Sequence, residues 1–244
     1  MSSADPVLSA HGVRKRFGAL VVLDGVDFSL GADDAIGIVG PNGAGKTTLL
    51  NVLAGSLPPN EGSVYFKGQE ITHASADERC RLGIGRAFQI PRPFGDMTVF
   101  ENVFVGASSG AGRRRARAYE RSLEVLDICG LMEHANRRAE TLGLLHRKRL
   151  ELARALATDP VVVLLDEIGA GLTEEESNEL IVTIKQLRRH GVSIVWIEHI
   201  VRVLVQVVDR MICMAAGKVI AEGCPDEVMG HQAVIDAYLG SGLV

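Results

Sequence analysis

The chain has 244 residues, 47% of them hydrophobic and 23% charged, with a formal net charge of −4. That length can bury a full core as one α/β domain or two joined lobes, and the charge gives no basis for a nucleic-acid partner, which needs a basic face. Cys80, Cys129, Cys213 and Cys224 are scattered, with no CxxC pair and no cluster with histidine, so they read as reduced thiols.

The N-terminus, Met1–Pro6, is short, polar and acidic, unlike a signal peptide. The segment 8–30 alternates as a strand pair does, with a turn at Phe17-Gly18-Ala19. A buried strand is expected over 35–39, a glycine-rich turn after it, and a helix from Lys46 to Ala54. Pro58-Pro59-Asn60-Glu61-Gly62 ends that helix and leads to short strands over 63–66 and 84–88. From Thr98 to Thr158 helical periodicity takes over, notably at 119–128 and 147–157, with a loop at 107–112. Alternation of strand and helix then returns: strand 161–165, helix 174–189, strand 193–197, helix 199–207, strands near 210–215 and 218–221, and terminal helices at 225–230 and 232–239. Such alternation implies a largely parallel sheet. The richest apolar runs, 161–165 and 192–197, are far shorter than the ~18 residues that cross a bilayer.

Gly40-Pro41-Asn42-Gly43-Ala44-Gly45-Lys46-Thr47 follows a strand and opens a helix, as a GxxxxGK[ST] phosphate loop must. Glycines let backbone N–H groups curl around phosphate oxygens, and the helix N-terminus adds partial positive charge. Lys46 would reach the β- and γ-phosphates of a nucleoside triphosphate, and the Thr47 hydroxyl would ligate Mg²⁺. Further on, the apolar strand Val161–Leu165 ends in Asp166-Glu167. Asp166 is thereby placed to approach Mg²⁺ and Glu167 to polarise an attacking water.

With these motifs in this order the chain resembles an ABC-type ATPase from Leu8 to Leu239. The resemblance implies a single α/β domain: a P-loop NTPase (RecA-like) core from residues 1–90 and 159–244, an antiparallel β subdomain, and an α-helical subdomain inserted over 91–158. It also implies that Phe17 stacks on adenine and that residues Gly40 to Thr48, Thr48 included, bind ATP. Gln89 matches the glutamine loop that contacts Mg²⁺ and the attacking water, His199 the switch histidine at the γ-phosphate, and Ala170-Gly171-Leu172-Thr173 the loop that crosses a dimer interface. Catalysis is thus expected from Glu167, His199 and Gln89, and Mg²⁺ ligation from Thr47, Gln89 and Asp166.

The family's signature loop, Leu-Ser-Gly-Gly-Gln, stands here as Leu142-Gly143-Leu144-Leu145-His146, ahead of the helix that starts near Arg149. The serine hydroxyl is absent, a loss of about 1.5–3 kcal/mol for one hydrogen bond to a charged group, while backbone N–H groups remain. Ile168 also replaces the usual proline. Either the loop works as a variant or the chain pairs with a second ATPase subunit. The run Arg86-Ala87-Phe88-Gln89-Ile90-Pro91-Arg92-Pro93-Phe94, with Met97–Val103 and the ending Val234–Gly240, is similar to the ATPases of branched-chain amino acid importers. That family implies integral-membrane permease partners, a homodimer or a second ATPase subunit, and a cytoplasmic position, peripheral on the inner face of the plasma membrane. Related importers carry other small solutes. A low-turnover nucleotide-binding subunit and a soluble non-transport ABC ATPase are the rival readings. The run Arg113-Arg114-Arg115-Ala116-Arg117 reads as a solvated helix face.

Overall fold

A computed structural model describes residues 5–112 and 114–239. Met1–Ala4 of the N-terminal segment, Arg113 of the arginine run and Gly240 of the C-terminal motif lie outside the described residues. In chain order the elements are β1 (Leu8–Phe17), β2 (Leu20–Leu30), β3 (Ala35–Val39), α1 (Lys46–Leu53), β4 (Glu61–Phe66), β5 (Gln69–Glu70), α2 (Ala76–Leu82), β6 (Ile84–Ala87) and α3 (Val99–Val105). They continue as α4 (Arg115–Ile128), α5 (Leu144–Ala157), β7 (Val162–Asp166), α6 (Glu174–Arg189), β8 (Ser193–Ile197), α7 (Val201–Leu204), β9 (Arg210–Ala215), β10 (Lys218–Gly223), α8 (Pro225–Gly230) and α9 (Gln232–Leu239). Among the described residues no helix is long and apolar enough to cross a membrane. The described residues fall into two compact units, one taking the chain up to Ala76 and again from Ser193, the other Asp77–Val192.

In the first unit β1 pairs antiparallel with β2, Leu8 opposite Leu30 and Phe17 opposite Leu20, and with β4 on its other edge. A second set of strands centres on β3, which lies parallel between β8 and β9; Ile38 is opposite Ile197 on one side and Ile212 on the other. Every residue of β3 and β8 is buried, which is why both read as unbroken apolar runs rather than alternating ones. β9 and β10 form a hairpin whose turn residues Ala216 and Gly217 have φ of 46° and 76°, the left-handed pair that matches strand twist. α7 is shorter than the expected 199–207 helix: Ile200 stays extended, and the alternating valines around it are stiff at χ1 and weak helix formers.

In the second unit β6 and β7 pair in parallel, Ala87 opposite Leu165. α6 buries Ser177, Leu180, Ile181, Ile184 and Leu187, the three- and four-residue spacing of one helix face. Reciprocal capping boxes start two helices: Thr98 with Glu101 on α3, and Thr173 with Glu176 on α6. The expected 107–112 loop is largely replaced by a π-helical turn, Gly106–Gly110. Its small residues reflect tight packing, for a Cβ on Gly106 would lie 2.7 Å from the Arg154 carbonyl oxygen and one on Gly110 would lie 2.6 Å from Thr158. Arg114, Arg115 and Arg117 are exposed around the start of α4. α5 begins earlier than expected, at Leu144, with Gly143 as its N-cap. His146 in its first turn meets His134 edge-on at 4.3 Å between ring centroids.

Ile184 is buried completely whereas Val182, on the same helix, is 57% exposed. Ile184→Ala will therefore lower unfolding free energy by about 2–5 kcal/mol, and Val182→Ala by less than about 0.5 kcal/mol, as read from urea midpoints. Burial, with His134, Arg149 and Arg137 nearby, holds the His146 imidazole below its ordinary value of 6.5, and Glu179 only partly offsets this. A base with a lowered native pKa binds fewer protons folded than unfolded, so its contribution is complete above the ordinary value and is lost as pH falls towards the native one. Stability measured from about pH 7.5 to about pH 5.5 will fall less steeply in His146→Gln than in the parent.

Candidate functional site

β3 delivers its chain into the glycine-rich loop at its carboxyl end, where open parallel sheets bind ligands. Gly40 has φ of 140°, and a Cβ there would lie 2.0 Å from the Met214 carbonyl oxygen. Gly45, at φ 99°, is the N-cap of α1, and a Cβ would lie 2.7 Å from the Val22 carbonyl oxygen. Only glycine fits either position. The loop is tied from outside by Gly217 N, which donates to the Ala44 carbonyl at 3.1 Å, and from within by Ala44 N, which donates to the Pro41 carbonyl at 3.2 Å. The N-cap of α1 is a glycine and no acidic residue lies in its first turn, and a helix N-terminus of this kind suits an anion.

Lys46 is buried, and its Nζ donates to the carbonyls of Gly40 at 2.7 Å and Pro41 at 3.1 Å. Asn42, Gly43 and Thr47 are exposed and Thr48 half-buried. The structure thus leaves the mouth of the loop to solvent and folds its lysine back onto the backbone. In the same unit His199 follows β8, the parallel neighbour of β3, and is exposed at the same carboxyl end. Phe17, at the end of β1, is 50% exposed, with Lys15 Nζ 5.4 Å from its ring centre.

In the second unit Gln89, Asp166 and Glu167 gather at the carboxyl ends of β6 and β7. Gln89 Nε2 donates to Glu167 Oε2 at 2.6 Å. Glu167 has φ of 46°, a left-handed conformation of the kind that costs about 1–3 kcal/mol and concentrates at functional sites. Arg86 donates to Asp166 Oδ2 at 3.0 Å with both side chains largely buried, and its guanidinium lies 4.5 Å from the Phe88 ring centre. Buried Lys148, on α5, donates from Nζ to the Gln89 carbonyl at 2.5 Å. Sequence reasoning missed Arg86 and Lys148 as site supports. Their signal was slight: one arginine at a strand end and one lysine amid a basic helix start. The Gly143 N-cap leaves the first turn of α5 without a side-chain cap or an acidic residue. Leu144 stays exposed while Leu142 and Leu145 are buried, so three of the five signature-position residues belong to the helix rather than to a loop ahead of it.

Among the described residues no group of three or more His, Cys, Asp or Glu side chains is clustered to hold a metal. Mg²⁺ does not need one, because it is usually bound by one or two carboxylates together with substrate phosphates. The Thr47 hydroxyl, the Gln89 amide oxygen and the Asp166 carboxylate are oxygen donors of the type it takes.

The family model described as ABC transporter matches residues 23–170, and that of the branched-chain amino acid ATP-binding cassette transporter matches residues 218–243. The chain is 36% identical to the high-affinity branched-chain amino acid transport ATP-binding protein LivG of Escherichia coli (strain K12), over 97% of this chain and 99% of that one. It is 35% identical to the corresponding protein BraF of Pseudomonas aeruginosa, over 96% and 98%. Among solved structures, an ATP-binding cassette of an ABC transporter in its ADP conformation superposes with a TM-score of 0.88 at 31% identity, covering 97% of this chain and all of that one. The α/β fold is accordingly that of the P-loop ATPase cassettes, and the chain belongs to the ABC transporter family, as its nucleotide-binding ATPase.

Proposed function

We propose that this chain powers an importer of branched-chain amino acids or related small solutes, bound through integral-membrane permease subunits to the cytoplasmic face of the plasma membrane. The observation that carries the ATPase part is the loop Gly40–Thr47, in which Gly40 and Gly45 have no room for a Cβ and buried Lys46 and the start of α1 suit a polyphosphate. The cargo class is supported by the similarity to LivG and BraF over nearly their whole length.

In the proposed cycle Phe17 stacks on adenine, and the backbone of residues 43–47 holds the phosphates. Lys46 exchanges its two carbonyl partners for phosphate oxygens, a stronger charge-assisted pairing. Mg²⁺, held by Thr47, Asp166 and Gln89, would supply charge neutralisation on the β- and γ-phosphates. Gln89, already bonded to Glu167, orients a water molecule, and the Glu167 carboxylate accepts its proton. The oxygen of that water bonds to the γ-phosphorus as the bond to the bridging oxygen breaks, giving ADP and phosphate. His199 donates to the γ-phosphate. Two cassettes close on ATP and reopen after hydrolysis, and that movement works the permeases. The partner cassette is a second copy or a different ATPase subunit; Gly143 at the start of α5 favours the latter, since it offers no hydroxyl to the nucleotide across the interface.

Glu167→Gln keeps Mg-ATP affinity within about threefold but lowers hydrolysis by about 10²–10⁴-fold, and in cells carrying its permease partners it stops uptake of labelled leucine, isoleucine and valine. Unchanged hydrolysis contradicts the role of Glu167. Lost hydrolysis with undiminished uptake contradicts the cargo class.

A further inference from the structure

Tyr238 stands near the end of α9, 198 positions from Gly40 in sequence, yet its hydroxyl oxygen accepts the Gly40 N–H at 2.9 Å. Gly40 is the point where β3 ends and the phosphate loop begins, and its own carbonyl accepts Lys46 Nζ. On its other side the Met214 backbone leaves no room for even a methyl group. One residue therefore sits between a strand backbone and a tyrosine hydroxyl while holding the phosphate-binding lysine. We propose that Tyr238 is a positioning residue of the nucleotide site: its hydroxyl fixes Gly40, and through Gly40 the curl of the loop, in the shape that receives phosphate.

A neutral acceptor suits this place. Burial raises the Tyr238 phenol above its ordinary value, with Cys213 adding to the rise, and burial pushes the Cys213 thiol up to about 11 against the pull of Lys46. Both groups stay protonated at neutral pH, so the brace adds no anion to compete with phosphate for Lys46. Tyr238 lies in the 218–243 segment matched by the branched-chain family model. The segment beyond the hairpin thus acts on the loop.

This inference rests on the phosphate-loop reading, and the test separates the two. Tyr238→Phe keeps the ring and removes only the hydroxyl, leaving a buried N–H without its acceptor. The loop then relaxes when empty, and its reordering is charged to nucleotide binding. Mg-ATP affinity and KM should weaken by about 5- to 50-fold, with kcat at saturating ATP within about twofold of the parent. Hydrogen exchange in the peptide covering residues 36–48 should quicken, while the peptide covering 162–166 stays as protected as in the parent. A Tyr238→Phe protein with a lower melting temperature but parental affinity, KM and loop exchange has lost only structural support, and the inference fails. A parent with no measurable affinity for Mg-ATP would overturn the phosphate-loop reading and this inference together.

Discussion

A loop that binds phosphate through its backbone has no side chains to spare for holding its own shape, and neighbouring elements must supply that shape. Gly40 is closed in by the Met214 carbonyl and Gly45 by the Val22 carbonyl. Gly217, in the turn between β9 and β10, donates to Ala44. The loop therefore takes form only once β2, β9 and the β9–β10 turn are in register with β3. Each of these contacts lies far away along the chain, which makes the site a product of the folded first unit rather than of an autonomous motif. Buried Lys46, resting on two carbonyls, completes an arrangement poised for an anion.

The same division of labour recurs in the second unit. β7 is buried along its whole length and its body carries no charge, yet Asp166 and Glu167 close it. A carboxylate at such a place needs partners, because an unpaired buried charge is far costlier than a paired one. Arg86 answers Asp166, and Gln89 answers Glu167. Lys148 fixes the backbone of Gln89. The left-handed Glu167 is stored strain that this packing sustains. Apolar strands provide rigidity, and their carboxyl ends carry the candidate site residues.

Buried strands and capped helices were readable in the sequence because their signals are local. The expected spans 35–39, 174–189, 193–197, 225–230 and 232–239 coincide with β3, α6, β8, α8 and α9. The failures have one of two causes, a remote deciding contact or a weak local signal. The small-residue stretch 107–112 reads as a loop until α5 is seen packed against the turn at Gly106–Gly110. The expected 199–207 helix shrinks to four residues because its valines suit extended chain as well as helix. α2, with seven residues and few apolar positions, gives too short a period to detect. Within the site, the phosphate loop is legible because glycine spacing encodes it. Arg86, Lys148 and Tyr238 are not, since each acts through a hydrogen bond to a residue fixed elsewhere in the fold.

The role assigned to the Gly40–Thr47 loop can be judged by calorimetric titration of Mg-ATP into the parent chain and into Lys46→Ala. The parent should bind, and the variant should bind at least tenfold more weakly, about 1.4 kcal/mol or more, with its fold intact by circular dichroism. Equal affinities would mean that the nucleotide is held somewhere other than this loop, and the functional assignments built upon it would have to be withdrawn.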